Sequence, residues 1–282
     1  MSERAHPSCA VLVATYNWPD ALSLVLTALR AQDELPSEVL VADDGSGTAT
    51  ARVVAQHART FPVPLRHIWH EDMGFRAGAI RNRAIAATRC DYIVQIDGDI
   101  LLHHAAVRHH VRFARRGTFV QGSRALLPPA LTGEMLTMGK ARVSPLARGV
   151  RHRVNGWYVP WAAPLAARTT RDPLVRVRGC HVAYWRDDVV RVNGYNEAMI
   201  GWGLEDSELV ARLQFAGVSR RALKFSAPSW HLWHDERARD AVPRNRAIYD
   251  QTLSTQATWC ELGISSPTSL TSAPPTALDA HV

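Results

Sequence analysis

Apolar positions along this chain fall into short continuous runs separated by amphipathic stretches. Residues 9–14 (Cys-Ala-Val-Leu-Val-Ala) form one such run, which ends on Thr15-Tyr16-Asn17 and predicts a buried strand. Pro19 then opens a stretch with Leu22, Val25, Leu26 and Leu29 at three-to-four spacing, the pattern of a helix with one apolar face. The alternation repeats, with strands expected at 38–42, 64–69, 92–96 and 119–121 and helices at about 48–57, 74–87 and 103–115. Strands that are apolar on both faces, each followed by a helix, predict an α/β fold. Its central sheet would be mixed but mostly parallel, with helices flanking both faces. Polar clusters stand just past strands one, two and four, on the edge where open α/β sheets bind ligands. The first turn carries no GxGxxG, which disfavours a dinucleotide fold.

Between 125 and 175 the periodicity weakens and Pro, Gly and Arg accumulate around Trp157 and Trp161, as in a lid, an insertion or a surface anchor. Regularity returns at 175–185, followed by a short helix at 186–191 and a turn at Asn193-Gly194-Tyr195-Asn196. A helix is expected over 205–215, with Gly217 as its stop, and extended chain over 223–230. From 265 onward the chain is Ser, Thr, Pro and Ala with almost no charge, a disordered-tail composition.

Charge changes this picture in one place. The net charge of +7 is carried entirely by residues 101–178: residues 1–100 hold 9 basic and 12 acidic side chains, whereas 140–178 hold 9 and 1. The densest part contains Arg142, Arg148, Arg151, Arg153, Arg168, Arg171, Arg176 and Arg178. Such a segment suits an anionic acceptor, a diphosphate or an anionic membrane surface; nucleic acid is the least favoured partner. No apolar stretch is long enough to span a bilayer, and the first apolar run is too short for a signal peptide. Cys9, Cys90, Cys180 and Cys260 lie far apart with no CxxC, and read as buried free thiols of a cytoplasmic protein.

Asp97-Gly98-Asp99 leaves an apolar strand. Two carboxylates that close repel each other, and a hard cation such as Mg²⁺ or Mn²⁺, bridging to substrate phosphates, resolves the repulsion. The plain alternative is an Asp turn capping the next helix. Asp43-Asp44-Gly45-Ser46 stands likewise as either a nucleotide contact or an Asp-Gly turn. Glu205-Asp206 reads either as the acidic first turn of a helix or as a reactive pair, and Trp202 as core or as a flat face for a sugar. In Trp230-His231-Leu232-Trp233-His234 the two histidines share a face on a helical turn but not on a strand.

Together these strings resemble GT-A glycosyltransferases of family 2, with a second half similar to β-1,4-galactosyltransferases and chondroitin-type polymerases. The resemblance covers about residues 9–250. It implies a nucleotide-diphospho-sugar transferase fold, with an N-terminal extension at 1–8, a nucleotide-sugar half at 9–125, an irregular basic segment at 126–178 that could meet the acceptor, a catalytic half at 179–264 and a tail at 265–282. It implies nucleotide-sugar contacts from Thr15, Tyr16 and Asn17, from Asp43 (the stronger contact) and Asp44 (orienting the loop), and from Asp97 and Gly98. Gly74-Phe75-Arg76-Ala77-Gly78-Ala79-Ile80-Arg81-Asn82 is similar to the family's helix beside the nucleotide. Arg76 or Arg81 would there neutralise diphosphate or hold a neighbouring carboxylate. Asp99 and His234 are implied as metal ligands, with His231 assisting, and the cofactor as Mn²⁺ or Mg²⁺.

Gly201-Trp202-Gly203-Leu204-Glu205-Asp206 departs from the family string only in having Leu204 where a second glycine stands. By the resemblance Asp206 is the base of an inverting transfer, with Glu205 and Trp202 contacting the acceptor. The implied activity moves a hexose or N-acetylhexosamine from a UDP-sugar to a glycan hydroxyl in surface-polysaccharide synthesis, in the cytoplasm or at the inner face of the membrane. Transfer to a small-molecule or protein acceptor, a nucleotidyltransferase, and a binding module built on the basic segment stand as alternatives.

Overall fold

The computed structural model describes residues 6–174, 177–235 and 240–265; the expected tail and Arg176 lie outside these. The first half alternates strand and helix as expected: β1 (Cys9–Thr15), α1 (Pro19–Arg30), β2 (Glu38–Asp43), α2 (Thr48–Ala58), β3 (Leu65–Trp69), α3 (Ala77–Ala87), β4 (Tyr92–Asp97), β5 (Ile100–Leu102), α4 (Ala106–Phe113) and β6 (Thr118–Gln121). The weakly periodic region is not featureless. It holds β7 (Ala125–Leu126), α5 (Pro129–Met138), α6 (Ala163–Ala166) and β8 (Thr169–Thr170), with two short 3₁₀ turns between α5 and α6. The second half comprises β9 (His181–Trp185), α7 (Arg186–Arg191), α8 (Glu205–Phe215), β10 (Ser219–Ala222), β11 (Ser229–His231) and α9 (Val242–Thr255).

Eight strands form one sheet in the order β3-β2-β1-β4-β9-β6-β10-β8, and β5-β11-β7 form a second, small sheet. β1 shows why the sheet is covered on both faces. Its residues alternate between two cores, Cys9, Val11 and Val13 packing on the α1 side and Ala10 and Leu12 packing with Ile80, Ala84 and Ile85 of α3. Leu22, Val25, Leu26 and Leu29 of α1 are fully buried, each contributing roughly 1.5–3 kcal/mol of apolar burial. The four cysteines are buried free thiols, and no helix among the described residues is long and apolar enough to cross a membrane.

The sheet is mixed. β3, β2, β1 and β4 run parallel, but β9 is antiparallel to both β4 and β6. The reason is where the chain re-enters: it arrives at Gly179 and Cys180 already on the carboxyl edge of β4, where the Asp97 amide donates to the Cys180 carbonyl at 3.2 Å, so β9 has to run back across the sheet. Strand register then sets the site. Thr15 lies opposite Asp43 and Ala14 opposite Asp97, so the loops after β1, β2 and β4 leave the sheet side by side.

Candidate active site

On this edge the loops after β1 and β2 lock together. The Asn17 amide donates to Ser46 Oγ at 2.8 Å, Asn17 Oδ1 accepts from the Gly47 amide at 3.1 Å, and Tyr16 Oη donates to Asp72 at 2.9 Å. Asp43 is fully buried. Its Oδ1 accepts from the Ser46 amide at 2.9 Å and its Oδ2 lies 2.8 Å from His67 Nε2, so both oxygens are engaged within the protein. Asp44 is also buried, between His70 Nε2 at 2.7 Å and the Arg76 amide at 2.9 Å. Both aspartates thus shape the turns, and the open surface here belongs to Tyr16 and Asn17. Arg76 is half-buried and caps α3, while Gly98 packs so tightly on Thr15 and the Ala14 carbonyl that a Cβ would crowd them.

Asp99, His231 and His234 converge. One ligand atom from each lies within 4.8 Å of the others. The route is the small sheet rather than a helical turn. β5 starts immediately after Asp99, pairs Ile100 with His231, and the Leu232 amide donates to the Asp99 carbonyl at 3.0 Å. The chain then folds back so that His234 Nε2 is 3.3 Å from Asp99 Oδ2, with His231 Nε2 at 3.6 Å. His234 Nδ1 lies 2.6 Å from the Asp235 carbonyl. That contact calls for a proton on Nδ1 and leaves Nε2 as the atom that faces Asp99. Asp99 Oδ1 is buried without a hydrogen-bond partner. Burial alone would raise the Asp99 pKa, but the His234 hydrogen bond and the neighbouring cationic groups hold it below the usual range. An ionised carboxylate with an orphaned oxygen and two imidazoles fits a divalent cation.

Arg81 is the hub of the other half of the site. Nearly buried on α3, its guanidinium reaches Asp97 at 3.0 Å, Asp206 at 3.3 Å and Glu205 at 3.7 Å. Of the two roles the sequence allowed, holding carboxylates is the one observed. Asp206 is fixed from three sides. Its Oδ2 accepts from the Gly179 amide at 2.9 Å, and its Oδ1 accepts from Arg81 and, at 3.3 Å, from the Tyr195 hydroxyl. A Cβ at Gly179 would overlap that carboxylate. Behind it runs a buried network in which Tyr184 donates to Gln95 Oε1 at 2.7 Å and the Gln95 amide donates to the Tyr195 oxygen at 2.7 Å, while the Tyr195 proton has two acceptors, Gln95 Oε1 at 3.1 Å and Asp206 Oδ1 at 3.3 Å. Asn82 clamps the same turn, bonding both the amide and the carbonyl of Tyr195 at 2.8 Å. Gly179, Gln95, Tyr195 and Asn82 were not singled out as site residues from sequence. The signal for Gln95 was a lone amide within the apolar run Tyr-Ile-Val-Gln-Ile.

Glu205 is buried and accepts from the Gly203 amide at 3.0 Å, whereas Trp202 is exposed. Leu204, in place of the glycine, adopts φ +71° and so takes the left-handed geometry a glycine there would adopt freely. Burial, followed by repulsion from Asp206, pushes Glu205 up to about 7, against the pull of Arg81. A carboxyl raised on folding stabilises the fold below its unfolded pKa, and that contribution is lost as pH rises through the folded value. Relative to Glu205→Gln, the wild type should therefore lose on the order of 3 kcal/mol between about pH 4.5 and 7. Urea melts of both proteins across that range measure it, and parallel pH profiles would refute it.

Two sequence-family profiles match the chain, glycosyl transferase family 2 over residues 10–138 and the segment described as the N-terminal domain of galactosyltransferase over 165–235. Validoxylamine A glucosyltransferase of Streptomyces hygroscopicus subsp. limoneus is 26% identical over 80% of this chain and 51% of its own length. Chondroitin synthase of Escherichia coli is 22% identical over 79% of this chain and 34% of its own. The chain thus spans about half of one of these relatives and a third of the other. Among solved structures, the mannosyltransferase PcManGT from Pyrobaculum calidifontis, in complex with GDP-Man and Mn²⁺, superposes with a TM-score of 0.56 at 19% identity, covering 87% of this chain and 62% of that one. The chain has a glycosyltransferase family 2 N-terminal domain of GT-A fold, joined to a C-terminal domain resembling galactosyltransferase and chondroitin-synthase catalytic domains.

Proposed function

We propose that the chain is a metal-dependent, inverting glycosyltransferase that moves a hexose or N-acetylhexosamine from a UDP-sugar to a hydroxyl of a surface glycan. The observation that carries this reading is the shared sheet edge, on which the nucleotide-type loops, the Asp99–His231–His234 cluster and the Arg81-held carboxylates lie together. The uracil and ribose would lie against Thr15, Tyr16, Asn17 and the Asp43-Asp44 turn, and Arg76 would face the diphosphate. Asp97 and Gly98 form the floor on which the donor passes to the metal ligands. A divalent cation held by Asp99, His231 and His234 would supply Lewis-acid stabilisation of the leaving diphosphate. Asp206 then takes the proton of the acceptor hydroxyl as its oxygen bonds to the anomeric carbon and the bond to the diphosphate breaks. Gly179, Arg81 and Tyr195 hold that base in place. Trp202 stacks on an acceptor sugar, and Glu205 bonds its hydroxyls.

The test is metal and nucleotide binding together. Wild type should bind Mn²⁺ or Mg²⁺ with UDP by calorimetry, and Asp99→Asn or His234→Ala should weaken the metal at least tenfold. Unchanged affinity in both variants would remove the cluster from the site. A second reading, transfer to a smaller acceptor, is favoured by the validoxylamine A relative, whose name gives a single compound rather than a polymer.

The basic segment supports a location at an anionic membrane face. Trp161 and Leu165 are 76% and 82% exposed, and Trp157 and Leu146 are exposed with them, among the arginines of 140–178. Each basic side chain near such a surface is worth about 1 kcal/mol. The protein should sediment with phosphatidylglycerol vesicles at low salt and not with phosphatidylcholine, and a Trp161→Ala/Leu165→Ala variant should bind about tenfold less. Equal binding to both lipids would exclude the docking.

A further inference from the structure

A cavity of about 290 Å³ opens beside the site on the far side of β4 from the nucleotide loops. Its wall includes four cations, Arg124, Arg178, Arg220 and Lys224, and no carboxylate. Among the described residues none of the four makes an ion pair with an acid, and Arg220 Nε is buried without a partner. Arg124 points one N–H at Cys180 Sγ, 2.6 Å away. Burial pushes that thiol up to about 12, so it offers only a weak neutral acceptor. Four like charges around one cavity repel each other, and an anion placed among them is the physical resolution.

The sheet order says which anion. The nucleotide-type loops follow β1 and β2, on one side of β4, while Arg220 and Lys224 belong to β10 and the turn after it, three strands away on the other side. At about 4.8 Å per strand that is roughly 14 Å, so the Arg220–Lys224 end of the cavity lies away from the nucleotide loops, while Arg124 and Cys180 in the same wall stand within electrostatic reach of Asp99. Cys180 in the cavity wall follows Gly179, whose amide holds Asp206. The cavity therefore adjoins the position where the acceptor hydroxyl has to stand. Resting on the glycosyltransferase reading above, we infer that this pocket binds an oxyanion carried by the acceptor, and hence that the substrate is an acidic glycan bearing carboxylate or phosphate near the hydroxyl that is glycosylated. A bidentate guanidinium suits either group.

The experiment is calorimetric titration of the full chain with three oligomers of equal length: a neutral tetrasaccharide, a uronate-containing tetrasaccharide and a phosphodiester-linked polyol oligomer. At least one acidic oligomer should bind tenfold or more tightly than the neutral one, with the gain falling as salt rises; the tighter acidic oligomer identifies the group as carboxylate or phosphate. Arg220→Gln/Lys224→Gln, and the exposed single variant Lys224→Gln to a smaller degree, should lose that preference while binding UDP with Mn²⁺ as the wild type does. Equal affinity for all three oligomers overturns the inference, as does a preference that survives in the double variant. A matching loss of UDP affinity overturns it too, because the pocket would then belong to the donor. If the acidic preference is present and lost as stated, yet no nucleotide-sugar is turned over, the pocket stands and the transferase reading is what fails.

Discussion

Asp206→Asn should reduce sugar transfer by about 10²–10⁴-fold, the usual contribution of a positioned general base, while leaving UDP and Mn²⁺ affinity near wild type. The asparagine is nearly isosteric. Its side-chain oxygen can still accept from the Gly179 amide or from Arg81, which the structure places at 2.9 and 3.3 Å from the Asp206 carboxylate. What it loses is the capacity to take the acceptor proton. The effect should fall on kcat, since the group acts as the new bond forms and not when the donor docks. Normal turnover in this variant would take Asp206 out of the base role, and a parallel loss of donor affinity would mean that its charge serves the nucleotide.

The second large effect is on the fold around the site. Arg81 is 5% exposed and answers Asp97, Glu205 and Asp206 at once. Burial raises Asp97 to about 6 even with Arg81 beside it, with Asp99 and Asp206 adding to the rise. Arg81→Met fills similar space and strands this acidic cluster without its cation. Breaking a buried ion pair by removing one partner costs about 3–5 kcal/mol, which corresponds to a fall in Tm of about 10 °C for a chain of this size. Much of the loss should be recovered at acid pH, where the stranded carboxyls protonate, and Arg81→Lys should fall between the two because one ammonium cannot fork to three acids. A Tm within 2 °C of wild type would show that the acids are satisfied in some other way.

Patterns of apolar spacing carried most of the fold. Helix α8 falls on the expected 205–215, and β1, β2 and β4 differ from expectation only at their final residue. Helix α3 begins at Ala77 rather than at 74, because Gly74 takes φ +78° and the Arg76 amide is held by Asp44 instead of entering a helical turn. Helix α9 was not expected at all. Its buried face is Asn245, Tyr249 and Thr252, at helical spacing but largely polar, so hydrophobic periodicity cannot find it. Thr252 instead bonds Glu208, whose carboxylate forms a 2.6 Å pair with the fully buried Arg212. The antiparallel placement of β9 was equally hidden, since it depends on the edge to which a long connection delivers the chain.

The site was legible as residue types more than as geometry. Asp99, His231 and His234 do come together, but through a strand ladder and a fold-back, so that the histidines meet without the helical turn that would have put them on one face. Arg81 was visible as one of two candidate arginines, and only the structure separates it from Arg76 by placing it among acids. Gly179 has no local signature. Its importance comes from Asp206, 27 residues later, packing where its side chain would be.

Transfer from a nucleotide-sugar is the activity on which every role proposed for this site depends. Its most direct test is nucleotide release from UDP-Glc, UDP-Gal, UDP-GlcNAc and UDP-GalNAc, with and without Mn²⁺, in wild type and Asp206→Asn. At least one donor should yield free UDP in a metal-dependent reaction, stimulated by a glycan acceptor and lost in the variant. Release of pyrophosphate, or no UDP from any of the four donors with metal present, would contradict it.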